Sequence, residues 1–291
     1  MPSRRRALVI LGALALLSLC SIALALIVGS VAIAPAQVLS ALFGDGVASE
    51  VVRNLRLPRA LTGFACGGLL ALAGAMLQVL LRNPLADPYV LGISGGAGVG
   101  ALLAIVFGLG AASVDALAFA GALAAMLIVF GLAHGEGGWT QSRLLLTGVI
   151  VAAGCGAVVA LLLAVAPDDR LRGMLFWLMG DLSQAGDPRT VLLLLLLVLL
   201  LALPFARELN LLARGADIAQ ALGVAVRRLR RGVYFVASLA TAAAVTHAGA
   251  VGFVGLIVPH LVRLAAGNDQ RLLLPASVLA GGSLLVIADT L

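Results

Sequence analysis

The stretch GVYFVASLATAAAVTHAGAVGFVGLIVPHLV, residues 232–262, runs for 31 positions without an Asp, Glu, Lys or Arg. One bilayer-spanning helix needs about 20 mostly apolar residues, so the run is too long for a single simple span. Gly249, Gly252, Gly255 and Pro259 predict where it divides: a full helix, a break, then a shorter helix.

Other uncharged runs of spanning size lie at 7–29, 61–81, 89–114, 116–133, 144–166, 190–206 and 272–288. Together they predict about nine membrane elements. The 291 residues are 62% hydrophobic and only 11% charged, whereas soluble domains carry about 25% charged residues. The fold class expected is therefore an all-α polytopic membrane bundle.

All positive charge is arginine, and it clusters at run ends. With the N-terminus placed inside, thirteen of the nineteen arginines fall on the inner side, as the positive-inside bias requires, and eight of the thirteen acids fall outside. The basic balance thus reads as membrane topology rather than nucleic-acid binding. Arg4, Arg5 and Arg6 precede an apolar stretch of 23 residues, longer than the 7–15 of a cleaved signal, so it is expected to be a retained first span. Cys20, Cys66 and Cys155 all sit in apolar runs and read as small buried hydrophobes. Residues 33–42 and 172–181 predict short outer-face helices, with Trp177 and, on the inner face, Trp139 as interfacial anchors.

Chemistry is sparse. His134, His247 and His260 share no metal-ligand spacing, and no nucleophile–base pair or phosphate loop is present. His247 falls in the middle of the long run and reads as a packed polar residue. An ion-coupled carrier, the alternative function, commonly places carboxylates within the bilayer; Asp115 and Asp289 lie only at run ends. The glycines at 92, 95, 96, 98 and 100 predict either tight helix packing or an unwound element beside a pathway. One polar island, residues 207–228, interrupts the apolar runs. There Leu211, Leu212, Ile218, Ala221 and Leu222 can fill a partner's groove; Gly215 splits the segment into two short helices and Gly223 can end the second.

Several motifs converge. Arg56-Leu57-Pro58-Arg59 precedes a span that leads to Gly74, Gln78 and Arg82-Asn83-Pro84-Leu85-Ala86-Asp87-Pro88. Leu91-Gly92-Ile93-Ser94-Gly95-Gly96, Ser142-Arg143-Leu144, Leu209-Asn210-Leu211-Leu212 and Gly252-Phe253-Val254-Gly255-Leu256-Ile257-Val258-Pro259-His260 follow in order, with Arg263 and Gly267 behind. From about residue 50 onward the chain resembles the permease subunits of type II ABC importers for ferric siderophores, haem and vitamin B12.

The resemblance implies one transmembrane permease domain over residues 1–291, in a bacterial inner membrane with a cytoplasmic N-terminus. It implies a homodimer, two cytosolic ATP-binding subunits that carry ATP and magnesium, and a periplasmic substrate-binding protein. No cofactor or metal is expected in this subunit. By resemblance, Leu209, Asn210, Leu211, Leu212, Arg214, Gly215, Ala219, Leu222 and Gly223 couple to the ATPase within the cytoplasmic helices of residues 207–228. Arg56 and Arg59 dock the binding protein. Thr140, Gln141 and Ser142 form a cytoplasmic gate, and Thr147, Gly148, Gly154 and Gly156 face the pathway. Relatives have ten spans, so nine here would leave the tenth missing.

Overall fold

The computed structural model describes residues 4–29, 33–44, 46–133, 140–183 and 186–291. Trp139 and His134 lie outside the described residues.

Fourteen α-helices occur among the described residues, connected by short turns. Helix α1 (Arg4–Ile27) is a first span with an outward, lipid-type surface; its few inward residues include Ser18 and Ser21. Helix α2 (Pro35–Phe43) is the predicted short helix, with Pro35 supplying a fixed φ at its first turn. Helix α3 (Val47–Glu50) continues through a π-helical segment, Val51–Arg56, into α4 (Leu57–Leu80). A 3₁₀ turn, Pro88–Leu91, leads into the short α5 (Ile93–Val106) and then α6 (Ala111–Leu132).

The second half holds α7 (Gln141–Val165), α8 (Asp168–Met179) and α9 (Arg189–Ala202). The paired short helices α10 (Ala206–Arg214) and α11 (Ala216–Ala221) follow. The long run divides where predicted, into α12 (Val226–Ala248) and α13 (Val254–Ala266), before α14 (Gln270–Thr290). Six segments are long and apolar enough to cross a bilayer, within α1, α3–α4, α6, α7, α9–α10 and α14. With α12 and the shorter apolar α5 and α13, nine membrane elements are described, matching the sequence reading.

Helix α4 is the axis of the bundle. Nineteen of its residues are buried, against α14, α12, α13, α9 and α1. Its glycines permit this contact: a Cβ on Gly74 would lie 1.9 Å from the Gly255 carbonyl oxygen of α13, and one on Gly67 would lie 2.3 Å from that of Gly281 in α14. In a lipid solvent, close backbone approach is what drives helices together. Helix α1 is pinned to the bundle by Ser18 Oγ, 2.9 Å from Ser283 Oγ of α14.

Three local expectations change. The first helix of the long run starts at Val226, inside the arginine cluster, so His247 lies on the last turn of α12 and not at mid-span. Cys20 faces outward from α1, because that helix packs by only one narrow face; Cys66 is fully buried. Trp177 of α8 is half-buried beside Gly98 of α5, which makes it a packing residue rather than a free anchor.

Candidate functional site

The two ends of the bundle differ in chemistry. One end brings together Arg6, Arg82, Arg207, Arg214, Arg263 and Arg271 around a cavity of about 1040 Å³. The opposite end carries Arg56, Arg59, Ser183 and Asp289 around a smaller one of about 310 Å³. The polar island lies at the first end.

That island folds as the glycines dictate. Gly215 adopts φ 139°, a conformation that strains any residue with a Cβ, so it separates α10 from α11. Gly223, at φ 84°, follows the last turn of α11. Leu209, Leu212 and Ala219 turn inward and are buried in the chain's own core. This corrects the expectation for Leu212, which cannot fill a partner's groove while it fills the groove above α4 and α14. Ile218 and Leu222 point outward, 50% and 62% exposed, with Arg214 and Ala221 beside them.

Asn210 has a different task from the leucines. Its Nδ2 donates to Asp269 Oδ1 at 2.8 Å, and its Oδ1 accepts from the Gln270 backbone N–H at 2.8 Å. Asp269 is also the N-cap of α14, accepting from the Arg271 N–H at 3.1 Å. The island is thereby clamped to the first turn of α14, the helix most extensively packed on the axial α4. Asp269 and Gln270 were absent from the sequence-derived site, although an Asp just before an apolar run is a helix-start signal.

A second polar joint lies above the clamp. Pro259 has no N–H, so the Gly255 carbonyl loses its helical partner. Buried Gln78 faces that break, with Nε2 donating to Leu256 O at 3.1 Å and lying 3.5 Å from Gly255 O, while Arg263 Nη2 donates to Gln78 Oε1 at 2.7 Å. In the following loop, Asp87 accepts from the Tyr89 N–H at 2.8 Å, but burial outweighs that bond and pushes its carboxyl above the ordinary carboxylate range.

At the opposite end the two predicted docking arginines are already engaged. Arg56 Nη1 donates to the Leu26 and Ile27 carbonyls at 2.8 and 3.0 Å, capping α1. Arg59 grips Asp289 with both fork arms, Nε to Oδ2 at 2.7 Å and Nη2 to Oδ1 at 2.8 Å. Neither was expected to have a partner in its own chain.

The predicted gate and pathway residues sit at and along α7. Thr140 Oγ1 caps that helix by accepting from the Arg143 N–H at 3.3 Å, Gln141 Nε2 donates to Leu80 O at 2.9 Å, and Ser142 is exposed. Gly148 is buried against the Pro88–Leu91 turn, its Cβ position 2.6 Å from Val90 O, so it packs rather than lining open space. Thr147 is half-buried; Gly154 and Gly156 meet nothing within 4 Å.

The sequence model of the FecCD transport family matches residues 15–291. The cobalamin import system permease protein BtuC of Halobacterium salinarum is 46% identical, over 84% of this chain and 66% of its own length. The hemin transport system permease protein HmuU of Yersinia pestis is 42% identical over 82% and 73%. The ferric enterobactin transport system permease protein FepD of Escherichia coli is 38% identical over 98% and 86%. Among solved structures, an inward-facing conformation of a metal-chelate type ABC transporter superposes with a TM-score of 0.88 at 31% identity, covering 97% of this chain and 89% of the other.

Proposed function

This chain belongs to the FecCD transport family, and from that premise we propose that it is the membrane permease of an ATP-driven importer. Its cargo is a metal chelate of the ferric siderophore, haem or cobalamin class, moved inward through the interface between two copies. A separate pair of ATP-binding subunits carries ATP, magnesium and the hydrolysis, and a periplasmic binding protein delivers the cargo. The arginine-rich end is cytosolic, in keeping with the positive-inside bias, and the Arg56–Arg59 end is periplasmic.

The observation that carries this reading is the α10–α11 knob. It projects apolar Ile218 and Leu222 from the arginine-rich end, while Asn210 clamps it to α14. Motion of a partner seated on Leu222 would pass through a short hydrogen-bonded joint into a helix that spans the bundle. A rigid connection is what converts a distant closure into a movement of the spans. The gate formed by Thr140, Gln141 and Ser142 would move with it, because Gln141 is bonded to the end of α4.

The test is reconstitution with the ATP-binding subunits and the binding protein in liposomes. Leu222→Asp is expected to leave the permease folded but cut cargo-stimulated ATP hydrolysis and uptake at least about tenfold, the scale on which one central interface anchor acts. Full coupling in that variant would refute the assignment.

A further inference from the structure

We propose that the arginine cavity at the α10 end is a binding site for a phosphate-bearing anion, filled by the headgroup of an anionic phospholipid. Its guanidinium side chains arrive from separate parts of the chain: Arg6 from the start of α1, Arg82 from the end of α4, Arg207 and Arg214 from α10, Arg263 from α13 and Arg271 from α14. Among the described residues that line the cavity is one carboxylate, Asp269, and its Oδ1 is committed to Asn210 and to the Arg271 N–H. No ion pair involves Arg82, Arg207, Arg214, Arg263 or Arg271 among the described residues. Such a concentration of like charge in a concave site attracts a counter-anion. The planar arginine fork matches phosphate oxygens in pairs.

Two further features belong to the same site. Gln270, 2% exposed, lines the cavity, and its Oε1 is buried without a partner. The volume, about 1040 Å³, is at the upper end of small-molecule sites, which run about 300–1,000 Å³.

The lipid source is favoured over a free phosphate by what lies beside the cavity. Its wall includes Leu211 and Leu264. Leu264 is the last of an outward apolar row on α13 with Ile257 and Leu261, which are 73%, 42% and 55% exposed in that order. Residues at this spacing share one helix face. An acyl chain can lie along that row while its headgroup enters the arginines. The site is at the ends of α1, α4, α13 and α14, helices long or apolar enough to be membrane elements, and basic pockets between the ends of such helices suit lipid headgroups.

The experiment is native mass spectrometry of the purified, delipidated full chain. It is titrated with phosphatidylglycerol, with phosphatidylethanolamine of the same acyl chains, or with inorganic phosphate or pyrophosphate. The expected result is one phosphatidylglycerol held about tenfold more tightly than phosphatidylethanolamine. Arg207→Gln with Arg271→Gln should abolish that preference, whereas Arg4→Gln with Arg5→Gln, an equal loss of charge outside the cavity, should retain it. Arg207→Lys with Arg271→Lys, which keeps the charge and lowers the fold risk, should lose part of it. Equal binding of the two lipids, or equal loss in the Arg4/Arg5 control, would overturn the site. Phosphate or pyrophosphate that displaces the lipid at comparable concentration would assign the cavity to a free anion. Displacement by an added ATP-binding subunit would assign it to the protein interface, and either result removes the lipid.

Discussion

At the scale of single residues, polar side chains inside this bundle act as joints. Gln78 sits where Pro259 has freed a carbonyl, and it also receives Arg263. Gln78→Leu keeps the volume but leaves the Arg263 guanidinium and the Leu256 carbonyl without that partner, a loss of about 1–3 kcal/mol. It should lower the thermal midpoint in detergent, measured by fluorescence-detected size exclusion. Asp87 gives a pH signature. Its carboxyl is held above the ordinary range, so the protonated form is favoured by the fold, and that contribution is lost as pH rises. Asp87→Asn keeps an acceptor for the Tyr89 N–H and removes the ionisation cost; the midpoint should rise at pH 7.5 and show no gain near pH 4. Arg59 and Asp289 lie 230 positions apart, so no reading of the chain could pair them. A partly exposed ion pair contributes only about 0–1 kcal/mol. Asp289→Asn should therefore cost little stability, and if Arg59 docks the proposed binding protein, the freed fork should tighten docking about two- to fivefold in a surface-immobilised binding assay. Weaker docking would mean that Asp289, not Arg59, makes the contact.

At the scale of elements, legibility followed the local chemistry. The division of residues 232–262 was readable because glycine and proline act on their own backbone, and α12 and α13 part at Gly249 as they require. The two-helix form of the island was readable for the same reason, with Gly215 at φ 139°. What sequence spacing could not tell was which leucines look inward. On an isolated amphipathic segment Leu212 and Leu222 are equivalent; only the grooves of α4 and α14 make Leu212 buried and leave Leu222 exposed. Nor could it show that the helix of Tyr234 begins among arginines, which moves His247 to a helix end. The break itself is testable. Gly215→Val puts a β-branched side chain at a φ that such residues rarely adopt, at a cost of about 1–3 kcal/mol. The permease should still assemble in membranes, since α10 remains held by Leu209, Leu212 and Asn210, but affinity for the ATP-binding subunits should fall about tenfold in a pull-down titration. Unaltered binding would show that α11 does not carry the contact.

At the scale of the whole molecule, burial is lopsided. Helix α4 is enclosed on all sides, whereas α7 buries only Leu144 and Gly148 among its 25 residues. Its free surface mixes bulky Leu146, Ile150 and Leu161 with the bare backbone of Gly154 and Gly156. A surface that meets only lipid gains nothing from glycine, which weakens a helix by about 1 kcal/mol relative to alanine. A surface that meets another helix gains close approach. The proposed second copy and the cargo pathway are therefore assigned to the face of α7 that carries Gly154; Gly156, two residues further on, lies on the other face of the helix. Gly154→Cys in membranes, with Cys20 and Cys155 replaced by Ala, should give an intersubunit cross-link with a short bis-thiol reagent, and cargo bound during translocation should slow it. Gly154→Leu should reduce uptake at least about tenfold with unchanged expression, since a new side chain of that size at a close-packed contact costs about 1–3 kcal/mol. If Gly154→Leu transports normally and no cross-link forms, α7 faces lipid alone, and the copies must meet through another face of the bundle.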